Sequence, residues 1–427
     1  MAIPFFLTKL LVRTRLARLF PQARRLAAGG TAYLHYYADR VLAAPHEELA
    51  AAAPYWREHG PEVIDLTQGT PRFDILPSTT TKLPSDRRGY PPAWGLPELR
   101  GAVADWLRAE QGLSVSPQDE VLITAGAAGA FATAIATFVN AGDRVALFDP
   151  ASPLHIAVLK QQRARIHWIP TWMEDGYTRF RLEHLVKALG RVKLLILTAP
   201  NNPTGGVVRN EDLEALAWWA ERRDVLLISD DVFHHYWYDG LRHGLATFPK
   251  AGARTVTIGS LSKSHALTAA RVGWLAGHRH LVRPCALTNL LQAGLVPTLC
   301  QQIALNALRH ADQSLAAPRA DWASQRRYVF ERVRTAGLEP AWPSGGLFLW
   351  LPVHHLGLTG RAFAERLAHA QRVLVWPGEF FGPSGAGHVR LSYVAEEGRL
   401  REGVARLSAF CRELSGLSPA PPCRAAA

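Results

Sequence analysis

The chain has 427 residues, enough to bury a large core in one large or two ordinary domains. With 48% hydrophobic and 20% charged residues it is expected to be soluble and globular, and no apolar run reaches the ~18 residues of a membrane span. The formal charge of +12 is spread out and comes with no zinc-finger, homeodomain or RNP pattern, so anionic small substrates or a phosphate cofactor are expected rather than nucleic acid.

Residues 1–38 carry Lys9, Arg13, Arg15, Arg18, Arg24 and Arg25, with no acid before Asp39 and with Phe5, Phe6, Leu10, Leu11, Leu16, Leu19 and Phe20 interleaved. This basic amphipathic extension is expected to lie as a helix on the domain or on a partner subunit, in preference to peripheral contact with an anionic membrane surface or a transit-like role. A secretory signal is not expected, because Lys9 interrupts the apolar region. Short buried-strand runs follow at 121–124, 144–148, 194–197, 225–228, 255–258 and 272–275, separated by amphipathic stretches such as 211–221. Continuous apolar strands alternating with helices predict an α/β fold, a mostly parallel sheet sandwiched by helices. At the end of the chain, 416–427 reads GLSPAPPCRAAA, without periodicity, and is expected to be a frayed tail. The four cysteines, Cys285, Cys300, Cys411 and Cys423, form no Cys-x-x-Cys pair and no zinc pattern. They read as reduced thiols of a cytoplasmic protein, with no metal expected.

In an open α/β sheet, ligands bind beyond the carboxyl ends of the strands. Strand 121–124 runs into Ala125-Gly126-Ala127-Ala128-Gly129, and 194–197 into Ala199-Pro200-Asn201-Asn202-Pro203-Thr204-Gly205. Strand 225–228 ends in Ser229-Asp230-Asp231, and 255–258 in Gly259-Ser260-Leu261-Ser262-Lys263. One rim thus collects small residues, an amide, a carboxylate and an amine. A Gly/Ala-rich turn opening a helix offers free N–H groups to a phosphate, and Ser260 and Arg271 offer further contacts. Neither Gly-x-x-x-x-Gly-Lys-Ser/Thr nor a strand-linked Gly-x-Gly-x-x-Gly occurs, which disfavours a nucleotide. Lys263 is one of seven lysines against forty-one arginines, in a stretch without Asp or Glu from Gly240 to Ala311. A lysine amine can lose its proton and form a Schiff base, whereas a guanidinium stays protonated.

SLSKSHALTAARVGW (260–274) resembles the cofactor-lysine segment of the class I/II aminotransferases, pyridoxal 5′-phosphate (PLP) enzymes of fold type I. The resemblance continues through DLTQGTP (65–71), GYPPAWGLPELR (89–100), NNPTG (201–205), SDDVF (229–233), WYDG (237–240), PGEFFG (377–382) and VRLSY (389–393). It implies a large PLP-binding domain at 76–300 and a smaller α+β domain formed by 39–75 and 301–415. It implies that Lys263 holds PLP as a Schiff base and, once released by the amino acid, moves the proton at the substrate Cα. Asp230 is then expected to pair with the ring nitrogen, Asn202 to bond the phenolic oxygen, and Gly126, Ala127, Ser260 and Arg271 to hold the phosphate. Tyr90 resembles a tyrosine that reaches the neighbouring subunit's phosphate, which implies a homodimer with shared active sites. Arg390 resembles the residue that grips the substrate α-carboxylate, with Gly69 and Asn202 beside it. On the residues alone the alternatives are a surface lysine at 263, a turn residue at 202, an ordinary charge at 271, a loop aromatic at 90 and a solvated edge arginine at 390.

The sequence departs from the family pattern twice. Phe233 stands where a tyrosine hydroxyl also touches the phenolic oxygen, so the Schiff base is expected to stay protonated to higher pH. After Asp149-Pro150, where an aromatic often stacks on the ring, the chain has Ala151-Ser152-Pro153, leaving His155 or a neighbour to cover it. The expected activity is amino transfer between an α-amino acid and a 2-oxo acid. The alternatives are a PLP β-lyase or other Cα-carbanion enzyme, and a non-catalytic binding protein on the same scaffold. Trp94, Phe348 and Phe381 are candidates for an apolar substrate wall or for core packing.

Overall fold

The computed structural model describes residues 62–73, 89–186, 192–240, 243–292 and 294–415. The basic extension at 1–38 and the tail at 416–427 lie outside the described residues. Thirteen strands follow in chain order: β1 (Ile64–Asp65), β2 (Val121–Ala125), β3 (Arg144–Asp149), β4 (Arg165–Glu174), β5 (Tyr177–Phe180), β6 (Leu194–Thr198) and β7 (Leu226–Asp230). After these come β8 (Thr255–Ser260), β9 (Val272–Gly277), β10 (Phe348–Pro352), β11 (Val373–Leu374), β12 (Trp376–Pro377) and β13 (His388–Ser392).

Eight of them form one sheet in the order β2-β9-β8-β7-β6-β3-β4-β5. The pairs β3/β4, β3/β6, β6/β7 and β7/β8 are parallel. All six strand runs read from the sequence are in this sheet. One of them, β9, runs antiparallel to both its neighbours. The short link 261–271 leaves no room for a helical crossover, so the chain turns back on itself. β6, β8 and β9 are buried along their whole length. One face packs against the helices Gly126–Phe138 and Arg279–Gln292 through Leu122, Phe131, Ile135 and Val282. The other packs against Asn210–Arg223 through Leu195, Leu213, Leu216 and Leu227. This two-sided cover is why the strands read as continuous apolar runs.

A second core surrounds the antiparallel sheet β10-β13-β12, with the helices Ala316–Arg334, Gly360–Gln371 and Glu397–Leu414. β1 pairs with β11 in parallel and carries the segment before residue 73 into this unit. Phe233 and Tyr236, which follow β7, are buried in the same core and tie it to the large sheet. Among the described residues no helix is long and apolar enough to cross a membrane, and no cluster of three or more His, Cys, Asp or Glu has metal-binding geometry.

Candidate active site

The parallel strands β6, β7 and β8 end at one rim, with Thr198 opposite Asp230 and Asp230 opposite Ile258. Asp230 closes β7. Its Oδ2 lies 2.8 Å from His155 Nε2, and its Oδ1 accepts from the Val232 N–H at 3.2 Å. His155 is 1% exposed and stacks on Phe131 with ring centroids 4.3 Å apart. It therefore stands behind Asp230 and does not supply the ring cover considered from the sequence. Asp231 turns away, as the alternation along a strand requires. Its Oδ1 accepts from Ser229 Oγ at 2.6 Å, and burial pushes its carboxyl up to about 7.

Lys263 sits in the short helix Leu261–Ser264, which Ser260 caps by accepting from the Ser262 N–H. Its Nζ donates to the Gly69 carbonyl at 2.6 Å. Burial, followed by the charges of Arg390 and Arg271, lowers the amine to about 8. Near-neutral chemistry is thus built in: a cation crowded by other cations in a dry site loses its proton readily.

The phosphate candidates gather one strand away. Gly273 on β9 pairs with Ser260 on one side and with Thr124 on the other. Gly126 opens the helix Gly126–Phe138, with Ala127 next, and no acid or side-chain cap occupies the first turn. Gly126 has φ +71°, and a Cβ there would lie 2.6 Å from Arg271 Nη2. Arg271 itself has φ +53°, an uncommon backbone for a residue with a side chain. A helix start whose first N–H groups have no intrahelical partner, a guanidinium and a serine hydroxyl are thus brought together, a combination suited to an anion.

Arg390, central in its sheet, lies opposite Trp350 on β10 and Trp376 on β12. It is only 7% exposed. Its Nη1 donates to Asn202 Oδ1 at 2.8 Å, and its Nη2 donates to the Thr67 carbonyl at 2.6 Å. The guanidinium carbon lies 4.0 Å from the Phe348 ring centroid, 5.0 Å from Phe381 and 5.9 Å from Trp376. Burial lowers the guanidinium to about 9, opposed by the Asp65 charge. Gly69 is needed for close approach: a Cβ there would meet the Phe348 ring at 2.3 Å. Phe348 and Phe381 thus wall the arginine, whereas Trp94 packs beside the large-sheet core.

Tyr90, like Trp94, is not drawn in. It is 96% exposed on this chain. Phe233 is buried edge-on against Phe348, with centroids 5.5 Å apart. Sequence reasoning missed the His155–Asp230 bond, the aromatic wall of Arg390, and Tyr236, whose hydroxyl donates to the Lys263 carbonyl at 3.0 Å. Only the last had a local signal, a tyrosine shortly after the SDDVF motif.

Residues 61–407 match the family model for aminotransferase class I and II. The chain is 34% identical to the arginine–pyruvate transaminase of Pseudomonas aeruginosa over 84% of its own length and 92% of that protein. It is 30% identical to an aspartate aminotransferase of Pyrococcus abyssi, over 82% and 92% respectively. The solved Thermus thermophilus aspartate aminotransferase with maleate superposes with a TM-score of 0.80 at 29% identity, covering 87% of this chain and 99% of that one. Since the match runs through both sheets and every strand-end segment, the chain belongs to the class I and II aminotransferases, PLP-dependent enzymes of fold type I.

Proposed function

We propose that the amino transfer catalysed by this enzyme, between an α-amino acid and a 2-oxo acid, is worked by Lys263 as the proton-moving amine and Arg390 as the carboxylate anchor. The observation that carries this reading is their convergence on one short segment. Lys263 Nζ holds the Gly69 carbonyl and Arg390 Nη2 holds the Thr67 carbonyl. Amine and guanidinium therefore stand against the same three-residue segment, near enough for the Arg390 charge to act on Lys263.

The donor set fits PLP. The cradle of Gly126, Ala127, Ser260 and Arg271 suits its phosphate, and Asp230, an acceptor held by His155, suits a protonated ring nitrogen. PLP supplies an aldehyde for imine formation and a ring that accepts electrons released at the substrate Cα. The protein's residues do the rest. Asp230 would keep a proton on the ring nitrogen. Asn202 would bond the phenolic oxygen, and its Oδ1 accepts from Arg390 and so orients the guanidinium. Arg390 binds the α-carboxylate with a planar fork and fixes the substrate's orientation. Lys263, whose amine is lowered to about 8 by burial and the two arginines, would take and return the proton at the substrate Cα.

The same reading makes the enzyme a homodimer with shared sites. Leu287, Leu290, Leu291 and Leu299 are exposed on the helices Arg279–Gln292 and Thr298–Arg309, and Tyr90 is exposed too. Solvent-facing leucines concentrated this way suit a second copy. It also divides the chain near residues 75 and 300, with the small domain closing over substrate. The free thiols of Cys285, Cys300 and Cys411 support a cytoplasmic setting.

The test is half-reaction spectroscopy with Lys263→Arg beside the wild type. Wild type is expected to bind PLP and convert it to pyridoxamine phosphate with a suitable amino acid. The variant keeps the charge but should lose kcat by about 10³-fold or more. An active variant would refute the assignment, and release of ammonia without that conversion would refute transamination.

A further inference from the structure

Lys263 sits at the end of the large sheet and Arg390 within the small one, yet one amino acid must reach both. Their separation is therefore a mechanical property of whatever joins the two units. The Thr67–Gly69 segment is one connection, but β1 behind it is short and, among the described residues, pairs only with β11. A second connection runs through the interior.

The helix that carries Lys263 spans only Leu261–Ser264, so its last carbonyls lack ordinary helical partners. The Lys263 carbonyl receives the Ala266 N–H at 3.4 Å and the Tyr236 hydroxyl at 3.0 Å. The main chain of Tyr236 continues the link: its carbonyl accepts from the Gly346 N–H at 2.9 Å. The Gly346 carbonyl in turn accepts from the Tyr393 hydroxyl at 2.6 Å. Tyr393 follows Arg390 on the exit of β13, and the Tyr393 N–H donates to the Leu347 carbonyl at 3.2 Å. Both tyrosine rings are fully buried. Burial also raises both phenols well above the ordinary range, so each stays a proton donor.

We propose that Tyr236 and Tyr393 are positioning residues that, through the Gly346 peptide, fix the distance between the Lys263 amine and the Arg390 guanidinium. A phenylalanine would fill either space without the cost of burying a hydroxyl. What each hydroxyl adds is a directional bond of fixed length, at the lysine end for Tyr236 and at the arginine end for Tyr393. This inference rests on the roles given above to Lys263 and Arg390.

The two ends predict different kinetic signatures. Tyr236→Phe should slow PLP capture by the cofactor-free protein, followed by absorbance, and lower kcat, each about tenfold, with the KM for the amino donor within about twofold. Tyr393→Phe should raise that KM about tenfold and leave the capture rate within about twofold. Unchanged parameters in either variant would overturn the proposal, as would both variants shifting the same parameter together with a lowered Tm. If Tyr236→Phe fails to fold, the KM of Tyr393→Phe still decides. Failure of the underlying reading looks different: the wild type itself would not capture PLP, or Lys263→Arg would capture it normally.

Discussion

The rim of the large sheet and the pocket around Arg390 are built by different means. At the rim, backbone places the chemistry. Asp230 ends a strand, Lys263 follows one, and Gly126 and Arg271 hold left-handed conformations at a helix start and a strand start. Arg390 stands mid-strand and is placed by the distant Asn202 and Thr67 and by three aromatic rings, of which Phe348 is remote in sequence and Trp376 and Phe381 are nearer. In the pocket, removing the guanidinium leaves the Thr67 carbonyl and Asn202 Oδ1 without their donor.

After Lys263→Arg, which removes the reacting amine itself, the largest effect should come from the pocket. Arg390→Ala is expected to lower kcat/KM by about 10²- to 10³-fold, the usual result of truncating one partner of a buried charged hydrogen bond. PLP absorbance should stay normal. Arg390→Lys keeps the charge but loses the planar fork, and should recover only part of the loss. Steady-state kinetics beside a PLP titration checks both, and equal loss of cofactor binding would break the distinction between the two regions.

At the rim the matching change is Gly126→Ala. It forces a Cβ to within 2.6 Å of Arg271 Nη2 at φ +71°, a backbone that costs an L-residue about 1–2 kcal/mol. PLP affinity should fall about tenfold by equilibrium dialysis, while the KM of the saturated enzyme for its amino acid stays within about twofold.

The two regions are nevertheless coupled through charge. Lys263 is held near 8 first by burial and then by Arg390 and Arg271. PLP capture by the cofactor-free protein should thus rise through about pH 8, not 10.5. In Arg390→Ala the midpoint should move up, by less than the full distance because burial dominates. The sign carries over to stability. A lysine with a lowered folded pKa binds its proton more tightly when unfolded, so its contribution grows as pH rises from about 8 toward 10.5. Thermal melts of the cofactor-free protein across that window check this, and a midpoint unmoved in the variant would uncouple the regions.

The same contrast decides what could be read in the sequence. The rim was legible because apolar strands end abruptly in polar groups, and the direction of each strand puts those ends together. β4 and the edge strand β5 were not. They are half-buried and alternate, and β4 contains Pro170, so no continuous apolar run marks them. Arg390 entered only through family resemblance, since an arginine on a short strand is ordinarily solvated. Its bond to Asn202 spans 188 residues and that of His155 to Asp230 spans 75, distances over which no local pattern carries information. The reversal of β9 was hidden for a different reason: apolar content does not reveal strand direction.

Phe233 stands on the border between the regions, and the smallest expected effect tests to which it belongs. It follows Asp230 by three residues, yet its ring is buried edge-on against Phe348, the ring that lies on Arg390. If residue 233 faces the cofactor, Phe233→Tyr restores a hydroxyl donor to the phenolic oxygen. The pH at which the holoenzyme's absorbance titrates should then fall by about one unit, because a donor to the ionised oxygen favours the charged form. If it belongs to the arginine pocket, the added hydroxyl enters an apolar core without a partner. The absorbance titration would then stay put, and Tm would drop with a loss of about 1–3 kcal/mol. A spectral pH titration and a melt on one preparation separate the outcomes. The second would move the boundary between backbone-placed and side-chain-placed chemistry to the residues directly after Asp230.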